Sequence, residues 1–310
     1  MCPKILMMNN FNTIYEGNGE RLDTFTATLI DGTRSKATKL IESGCVTVNG
    51  KTAAKNTKLK NGDNISVSEP EPEVYEVKAQ NIPLDIVYED NDVLVVNKPK
   101  GMVVHPAAGI HDNTLVNAIM YHCGDSLSGI NGVLRPGIVH RIDKNTSGLL
   151  MIAKNDNAHN GLAEQIKEHS FTREYEAVVY GNFKADSGTI DAPIGRHPVK
   201  RKQMAVTDKN SKEAVTYYEV IERFGEFTHI RLKLKTGRTH QIRVHMSYIG
   251  HAVAGDDVYG PKNVITKLNG QCLHAKKVGF IHPVTEQYME FDSELPDYFK
   301  AFLKEIKNKK

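Results

Sequence analysis

An alternating run of glutamate and proline, Glu69-Pro70-Glu71-Pro72-Glu73, divides this sequence into two parts. Proline offers no backbone N–H, and a polar run of this kind cannot build a core, so it predicts an extended, solvated linker. A chain of 310 residues is long enough for two domains. We therefore expect a small unit at residues 15–68, a linker at residues 69–82 and a larger unit at residues 83–310.

The composition excludes several classes of protein. The residues are 40% apolar and 25% charged, and the net charge of +3 is too weak to argue for nucleic-acid binding by itself. The four cysteines form no C-x-x-C pair, which favours reduced thiols over a zinc site or a disulfide framework. The sequence has neither a signal peptide nor about 20 consecutive apolar residues, so we expect a cytoplasmic protein without a membrane segment.

Two short helices and a hairpin are predicted for the small unit. Residues 21–30 carry apolar side chains at helical spacing, and Ser35 is placed to cap a second helix that stops at Gly44. Asn49-Gly50, directly after the β-branched run 46–48, is a hairpin signal. Between residues 21 and 60 there are eight Lys/Arg against three Asp/Glu, which suits either a solvated face or an RNA-binding surface.

The large unit is predicted to be an α+β domain around a mixed, mainly antiparallel sheet. The wholly apolar run 148–153 indicates a buried strand, and 229–235 alternates as a strand with one wet, cationic face. Helices are expected at 156–168, 240–249 and 297–306. Strands outnumber helices and follow one another directly, so helices should flank the sheet rather than alternate with its strands.

The segment HRIDKNTSG carries a carboxylate beside a cation. In an extended run, Arg141 and Asp143 face the same side while Ile142 turns to the core. An Asx or ST turn, in which Asp143 bonds its own backbone and Arg141 is a surface charge, explains the same residues. The residues alone leave both interpretations open.

The segment KTGRTHQIRVH is a dense cluster of hydrogen-bond donors. Gly237 ends a strand, Thr239 is placed to cap the next helix, and Arg243 falls one turn after His240 on that helix. Such a cluster suits phosphates or a buried carboxylate. A metal site is disfavoured, because His240 and His245 do not align on a helix and no acidic ligand lies between them.

Two further segments have ordinary explanations when each is taken alone. Tyr175, in TREYEAVV, lies on a predicted strand, where a tyrosine is usually a core or rim residue. Residues 196–212 contain six Lys/Arg and one Asp, a composition that fits a solvated loop or a protruding arm that contacts phosphates.

Taken together, four collinear segments resemble the RluA family of pseudouridine synthases over residues 84–292. NKPKGMVVHPAAG resembles the opening motif, HRIDKNTSGL the catalytic motif with Ile142 in place of Leu, TREYEAVVYG the tyrosine motif and LKTGRTHQIRVH the arginine motif. Residues 20–68 resemble the alpha-L RNA-binding domain of a ribosomal protein, with Thr33-Arg34-Ser35 where that pattern prefers Ser-Arg. The combination looks most like the RluD-type branch, which modifies large-subunit ribosomal RNA.

The resemblance implies a role for each matching residue. Asp143 would be the catalytic aspartate, Tyr175 would stack against the target uracil, Arg243 would pair with Asp143, and Arg141 would fill the gap left by the flipped base. The resemblance and the local surplus of charge place RNA-binding side chains at Arg34, Lys36, Lys39, Arg196, Lys200 and Arg201.

The implied activity is the isomerisation of chosen uridines in structured RNA, with large-subunit ribosomal RNA as the expected partner. The reaction is redox-neutral and transfers no outside group, so we expect no cofactor and no metal, in a protein that needs to be no more than a monomer. One alternative is a catalytically inactive RNA-binding factor of ribosome assembly. Another is a hydrolase that pairs Asp143 with His140 or His245.

Overall fold

The computed structural model describes residues 8–70, 77–106, 109–130, 135–200 and 203–309. The chain divides into two compact units, residues 1–74 and residues 75–310. Residues 71–76, within the predicted linker, lie outside the described ranges.

The N-terminal unit is a four-stranded antiparallel sheet with two helices. Its elements are β1 (Met8–Ile14), α1 (Leu22–Leu29), α2 (Arg34–Glu42), β2 (Val46–Val48), β3 (Lys51–Thr52) and β4 (Asn64–Pro70). The strand order is β1-β4-β2-β3. Leu22 from α1, Ile41 from α2 and Ile65 from β4 meet in one buried cluster, because each helix turns its apolar stripe to the sheet.

The hairpin predicted in this unit is confirmed, whereas one helix cap is not. Asn49 and Gly50 both have positive φ, 53° and 75°, as the two-residue turn between β2 and β3 requires. The prediction that Ser35 caps α2 is wrong: Thr33 is the cap, and its hydroxyl accepts the backbone N–H of Lys36. Strand β1, which was not predicted, pairs with β4 along its whole length.

The large unit contains the other elements. They are β5 (Ile86–Glu89), β6 (Val93–Lys98), α3 (Leu115–Cys123), β7 (Ser147–Ala153), α4 (Asp156–Lys167), β8 (Thr172–Tyr180), β9 (Ser187–Asp191), β10 (Ile194–Arg196), β11 (Met204–Val206), β12 (Ser211–Lys212), β13 (Val215–Arg223), β14 (Phe227–Leu234), α5 (Gln241–Tyr248), β15 (Leu273–Ile281), β16 (Tyr288–Asp292) and α6 (Asp297–Asn308). None of the helices in the described parts of the chain is long and apolar enough to cross a membrane.

Nine strands form the main sheet of this unit. The order is β5-β6-β7-β15-β8-β14-β13-β9, with β16 paired to β15, while β10 joins β11 and β12 in a small separate sheet. β7 and β15 run parallel, and the other pairs are antiparallel. The predicted mixed, mainly antiparallel α+β architecture is confirmed.

Both faces of this sheet are covered. Leu150 and Ile230 face one side, where α3 and α5 pack, whereas Leu149 and Met151 face the other, where Leu162 of α4 packs. The parallel contact at the centre depends on Gly148 (φ 115°), since a Cβ there would overlap the carbonyl oxygen of Ala275. β7 begins at this contact, and the segment immediately before it carries the candidate active site.

Candidate active site

Asp143 lies in the segment immediately before β7. This segment is not a strand, although Ile138 makes an isolated bridge to Ile152. Ile142 is nevertheless buried, as the predicted alternation requires, although it lines the cleft together with Arg141 and Asp143. The interpretation as a mere surface turn therefore does not describe Asp143, whose side chain is only 18% exposed.

Lys98, at the end of β6, binds this segment through a hydrogen bond to the backbone of Lys144. Its Nζ donates to the carbonyl oxygens of Pro99 (2.9 Å), Met102 (2.8 Å) and Lys144 (3.1 Å), and the residue is 1% exposed. Burial lowers the pKa of Lys98 to about 7, and the negative charge of Asp143 opposes that shift. Lys98 lies within the opening motif, and no role was predicted for it.

Arg243, on the first turn of α5, joins two carboxylates. Its Nη1 donates to Asp143 Oδ2 (2.9 Å), while Nε and Nη2 donate to Asp256 (2.7 and 2.9 Å). Asp256 is fully buried and also accepts the backbone N–H groups of Val258 and Tyr259. Burial opposes the charge of Arg243, but the hydrogen bonds and charges of Asp256 and Asp143 outweigh it, so its pKa lies above the ordinary value.

The start of α5 differs from the prediction that Thr239 caps it. His240 takes the N-cap position in the left-handed region (φ 57°), without a side-chain cap. The buried amide of Gln241 organises the turn instead, because its oxygen accepts from the Arg238 N–H and the Thr236 hydroxyl. A non-glycine residue in this conformation is strained, and such strain is concentrated at functional sites.

The strained backbone directs the His240 ring toward Asp143. Its Nε2 lies 3.7 Å from Asp143 Oδ1, and its Nδ1 lies 2.8 Å from the hydroxyl of Tyr259. That hydroxyl also accepts the Met204 N–H, so Tyr259 fixes the ring at Nδ1 while Nε2 faces the carboxylate. Burial lowers the pKa of His240 despite the opposing charge of Asp143, which favours the neutral ring.

Two cavities meet at Asp143. The first, about 570 Å³, is also lined by Tyr175 of β8 and by apolar side chains such as Leu234 and Leu273. The second, about 390 Å³, is lined by His105, Asn145 and Gln271 among others. Arg141, Ile142, Asp143, His240 and Arg243 line both cavities.

Tyr175 is 8% exposed, so only a small part of its surface faces the first cavity. Burial raises the pKa of its hydroxyl, Asp143 adds to the effect and Arg173 opposes it. The tyrosine therefore presents a neutral aromatic ring in the same cavity as Asp143 and Arg243, which brings the three predicted catalytic residues together.

The predicted RNA-binding residues have different surroundings. Arg34 donates to Asp23 through Nε and Nη2, and Lys36 forms an ion pair with Glu69, so both also serve the N-terminal unit itself. Lys39, Arg196 and Lys200 are exposed, and Arg141 lies at the rim of both cavities. Arg201 lies outside the described residues.

Two of the histidines considered for a metal site or a hydrolase, His245 and His140, are hydrogen-bonded away from Asp143. His245 is fully buried between the Thr216 hydroxyl and the Ala192 carbonyl oxygen, both 2.9 Å away. The Nε2 of His140 accepts the backbone N–H of Met151, and burial lowers the pKa of that ring to about 3. Neither histidine is arranged to act as a base toward Asp143.

Comparison with known proteins agrees with this geometry. Residues 92–248 match the RNA pseudouridylate synthase family, and residues 20–65 match the S4 domain, the ribosomal-protein-like domain expected at the N-terminus. A Bacillus subtilis protein named uncharacterized RNA pseudouridine synthase YlyB is 53% identical over 94% of this chain and 96% of its own length. Ribosomal large subunit pseudouridine synthase D of Zymomonas mobilis is 48% identical over 92% of this chain and 93% of its own.

A solved structure is also similar. Human RNA pseudouridylate synthase domain containing 1 superposes with a TM-score of 0.56 at 26% identity, covering 76% of this chain and 97% of the human one. The family resemblance drawn from the four motifs and the N-terminal unit is confirmed.

Proposed function

This chain belongs to the RNA pseudouridylate synthase family, and we propose that it isomerises uridines of large-subunit ribosomal RNA with Asp143 as the catalytic carboxylate. The observation that carries the proposal is the 2.9 Å bond between Asp143 and Arg243 at the wall of a cavity that Tyr175 also lines. The names of relatives such as ribosomal large subunit pseudouridine synthase D support the choice of RNA.

One oxygen of the Asp143 carboxylate accepts a hydrogen bond from Arg243, and the other is available to the substrate. In the reaction, the uracil base leaves C1′, turns and rejoins the sugar through C5. Arg243 binds Oδ2, so Oδ1, with His240 Nε2 at 3.7 Å, is the oxygen that is free to meet the substrate. Attack on C1′, attack on the base and removal of a sugar proton are all within the chemistry of this oxygen.

The first cavity is where we place the flipped uridine. Tyr175 offers the ring on which the uracil stacks, and the apolar side chains of Leu234 and Leu273 exclude water from the detached base. Arg141, at the rim, fills the space that the base leaves in the RNA. Extrusion of a base costs a few kcal/mol, which contacts to RNA phosphates offset.

We place those phosphate contacts on exposed cations in both units. Lys39 lies on the N-terminal S4 domain, Arg196 ends strand β10 of the small sheet, and Lys200 lies in the segment that follows β10. Arg34 and Lys36 are further candidates, and Arg201, outside the described residues, is proposed from its sequence alone. We further propose a cytoplasmic, monomeric enzyme, with residues 15–68 and 83–310 as its domains. It would work without a nucleotide cofactor or metal, because the isomerisation is redox-neutral.

The proposal is tested by mapping pseudouridines in total RNA. Carbodiimide-block primer extension would compare a deletion strain with strains carrying the wild-type gene, Asp143→Asn or Asp191→Asn. Asp191 is the control, because it is an exposed residue of the edge strand β9. We expect large-subunit sites that vanish on deletion and return with the wild type and the control. The Asp143→Asn protein should bind the RNA with nearly unchanged affinity and restore no site.

Two results would contradict the proposal. Restoration of the sites by Asp143→Asn would remove the carboxylate from the mechanism. If no site in any RNA changed on deletion, the inactive assembly factor would become the better explanation.

A further inference from the structure

Arg173 is a buried cation without an anionic partner among the described residues. It lies on β8, two residues before Tyr175, and is 8% exposed. Its Nε is buried with no hydrogen-bond partner, and its guanidinium lies over the Phe171 ring at 4.3 Å. A charge removed from water without a partner is destabilising, so a chain that retains one has a use for it.

The guanidinium lines the cavity in which we place the flipped uridine. A Cβ at Gly237 would overlap Arg173 Nη1, so the glycine provides the space that this side chain occupies. Arg173 and Tyr175 are separated by one residue on the same strand and therefore share a face, with about 6.6 Å between their positions. A nucleotide in this cavity can therefore contact Tyr175 through its base and Arg173 through a phosphate.

Two further cations line the same cavity. Lys167 is paired with Glu164, whereas Arg238 donates its Nε to the Glu213 carbonyl oxygen, which leaves its terminal nitrogens for another acceptor. Among the described residues that line this cavity the one carboxylate is Asp143, and Arg243 already binds it. An anionic ligand in this cavity would supply the counter-charge that Arg173 lacks.

We propose that Arg173 and Arg238 form a phosphate-binding subsite in the first cavity, which takes one of the two phosphates flanking the flipped uridine. The inference rests on the proposed function and adds a contact that fixes the nucleotide at its backbone while Tyr175 holds its base. Arginine binds phosphate by paired hydrogen bonds, and such charge-assisted bonds are stronger in a water-poor cavity.

The test removes the charge from each partner in turn. A short RNA that contains a mapped target uridine is made with a neutral methylphosphonate at its 5′ or its 3′ phosphate. Single-turnover rates and dissociation constants are measured for the wild type, Arg173→Met and Arg173→Lys. Activity of the wild type on the unmodified RNA reports on the proposed function, and the comparison of variants reports on the subsite.

We expect one of the two methylphosphonates to weaken binding to the wild type by about 10- to 100-fold, the range for hydrogen bonds to charged groups. The same modification should change binding to Arg173→Met by less than about twofold, since the contact is already lost. Arg173→Lys, which keeps the charge, should lie between them. Equal losses in the wild type and in Arg173→Met would overturn the inference.

Thermal unfolding of the RNA-free proteins separates a ligand role from a structural one. Arg173→Met should raise the melting temperature, because it replaces an unpaired buried charge with an apolar side chain of similar length; a lower melting temperature would overturn the inference. Inorganic phosphate serves as a second probe. Stabilisation of the wild type by phosphate, without any effect of the methylphosphonates, would show a site for free phosphate and would also overturn the proposal.

Discussion

Asp143 and Asp256 bind the same guanidinium: Asp256 occupies the Nε and Nη2 edge of Arg243, and Asp143 accepts from Nη1. The fully buried Asp256 thus fixes Arg243, and Arg243 fixes Asp143, whose carboxylate faces the cavity. Asp256, which no substrate reaches, therefore positions Asp143 through Arg243.

Asp256→Asn should therefore impair catalysis from a distance. An amide cannot accept both N–H groups of the guanidinium, so Arg243 loses its fixed orientation. By analogy with residues that orient ligands of a metal, we expect kcat to fall by about 10- to 100-fold with little change in KM. Steady-state kinetics on the mapped RNA, with Asp191→Asn as a control, would measure it. An unchanged kcat would show that Arg243 needs no support.

Tyr259→Phe should act through His240. The variant removes the hydroxyl that holds Nδ1, which allows the ring to rotate or to change tautomer. The loss of one hydrogen bond predicts a rate about 2- to 10-fold lower. In a His240→Ala background the same substitution should have almost no effect, because the ring it orients is absent. Independent effects of the two substitutions would rule out this coupling.

Lys98 should make stability depend on pH. Its pKa is about 7 in the folded chain and 10.5 ordinarily, so the folded state binds fewer protons between these values and stability rises with pH across that window. Relative to Lys98→Met, the free energy of unfolding of the wild type should therefore increase by up to about 1.4 kcal/mol per pH unit from pH 7 to 10. Urea unfolding followed by circular dichroism at each pH would measure the difference. Parallel curves would contradict the shifted pKa.

Lys200→Glu should weaken RNA binding at low salt more than at high salt. If Lys200 contacts a phosphate, its loss reduces the slope of log affinity against log salt concentration by about one. Lys304→Glu, an exposed charge reversal on α6, is the matched control. Affinities measured by filter binding between 50 and 200 mM salt, about the range over which such contacts weaken, would decide. Equal slopes for Lys200→Glu and the wild type would exclude the arm as a phosphate contact.

Motifs led the sequence analysis to much of this site. Asp143, Tyr175 and Arg243 were each named from a motif, and the buried Ile142 between Arg141 and Asp143 followed from the alternation of an extended chain. What the sequence could not reveal depends on contacts between distant segments. Asp256 lies in a loop without periodicity, and its role appears only once that loop packs against α5.

Local rules failed where tertiary contacts compete with them. Thr239 satisfies the preference for an N-cap, yet the turn is organised by Gln241 and leaves His240 in a left-handed conformation. Folding also gives Arg34 a partner that its local sequence does not indicate, because Asp23, eleven residues earlier, binds its guanidinium. At Thr239 a partner made available by folding outweighs the propensity of the residue, whereas at Arg34 the RNA contact stays a prediction.

The place of β15 in the sheet sets the order in which this enzyme can mature during synthesis. It lies between β7, which follows Asp143, and β8, which carries Tyr175, although the ribosome makes it after both. A nascent chain that has emerged as far as α5 already contains every proposed catalytic residue, but its two half-sheets still lack the strand that joins them. Catalytic competence is therefore acquired only after β15 has been made, and a fragment truncated before Leu273 should be inert despite its complete set of motifs.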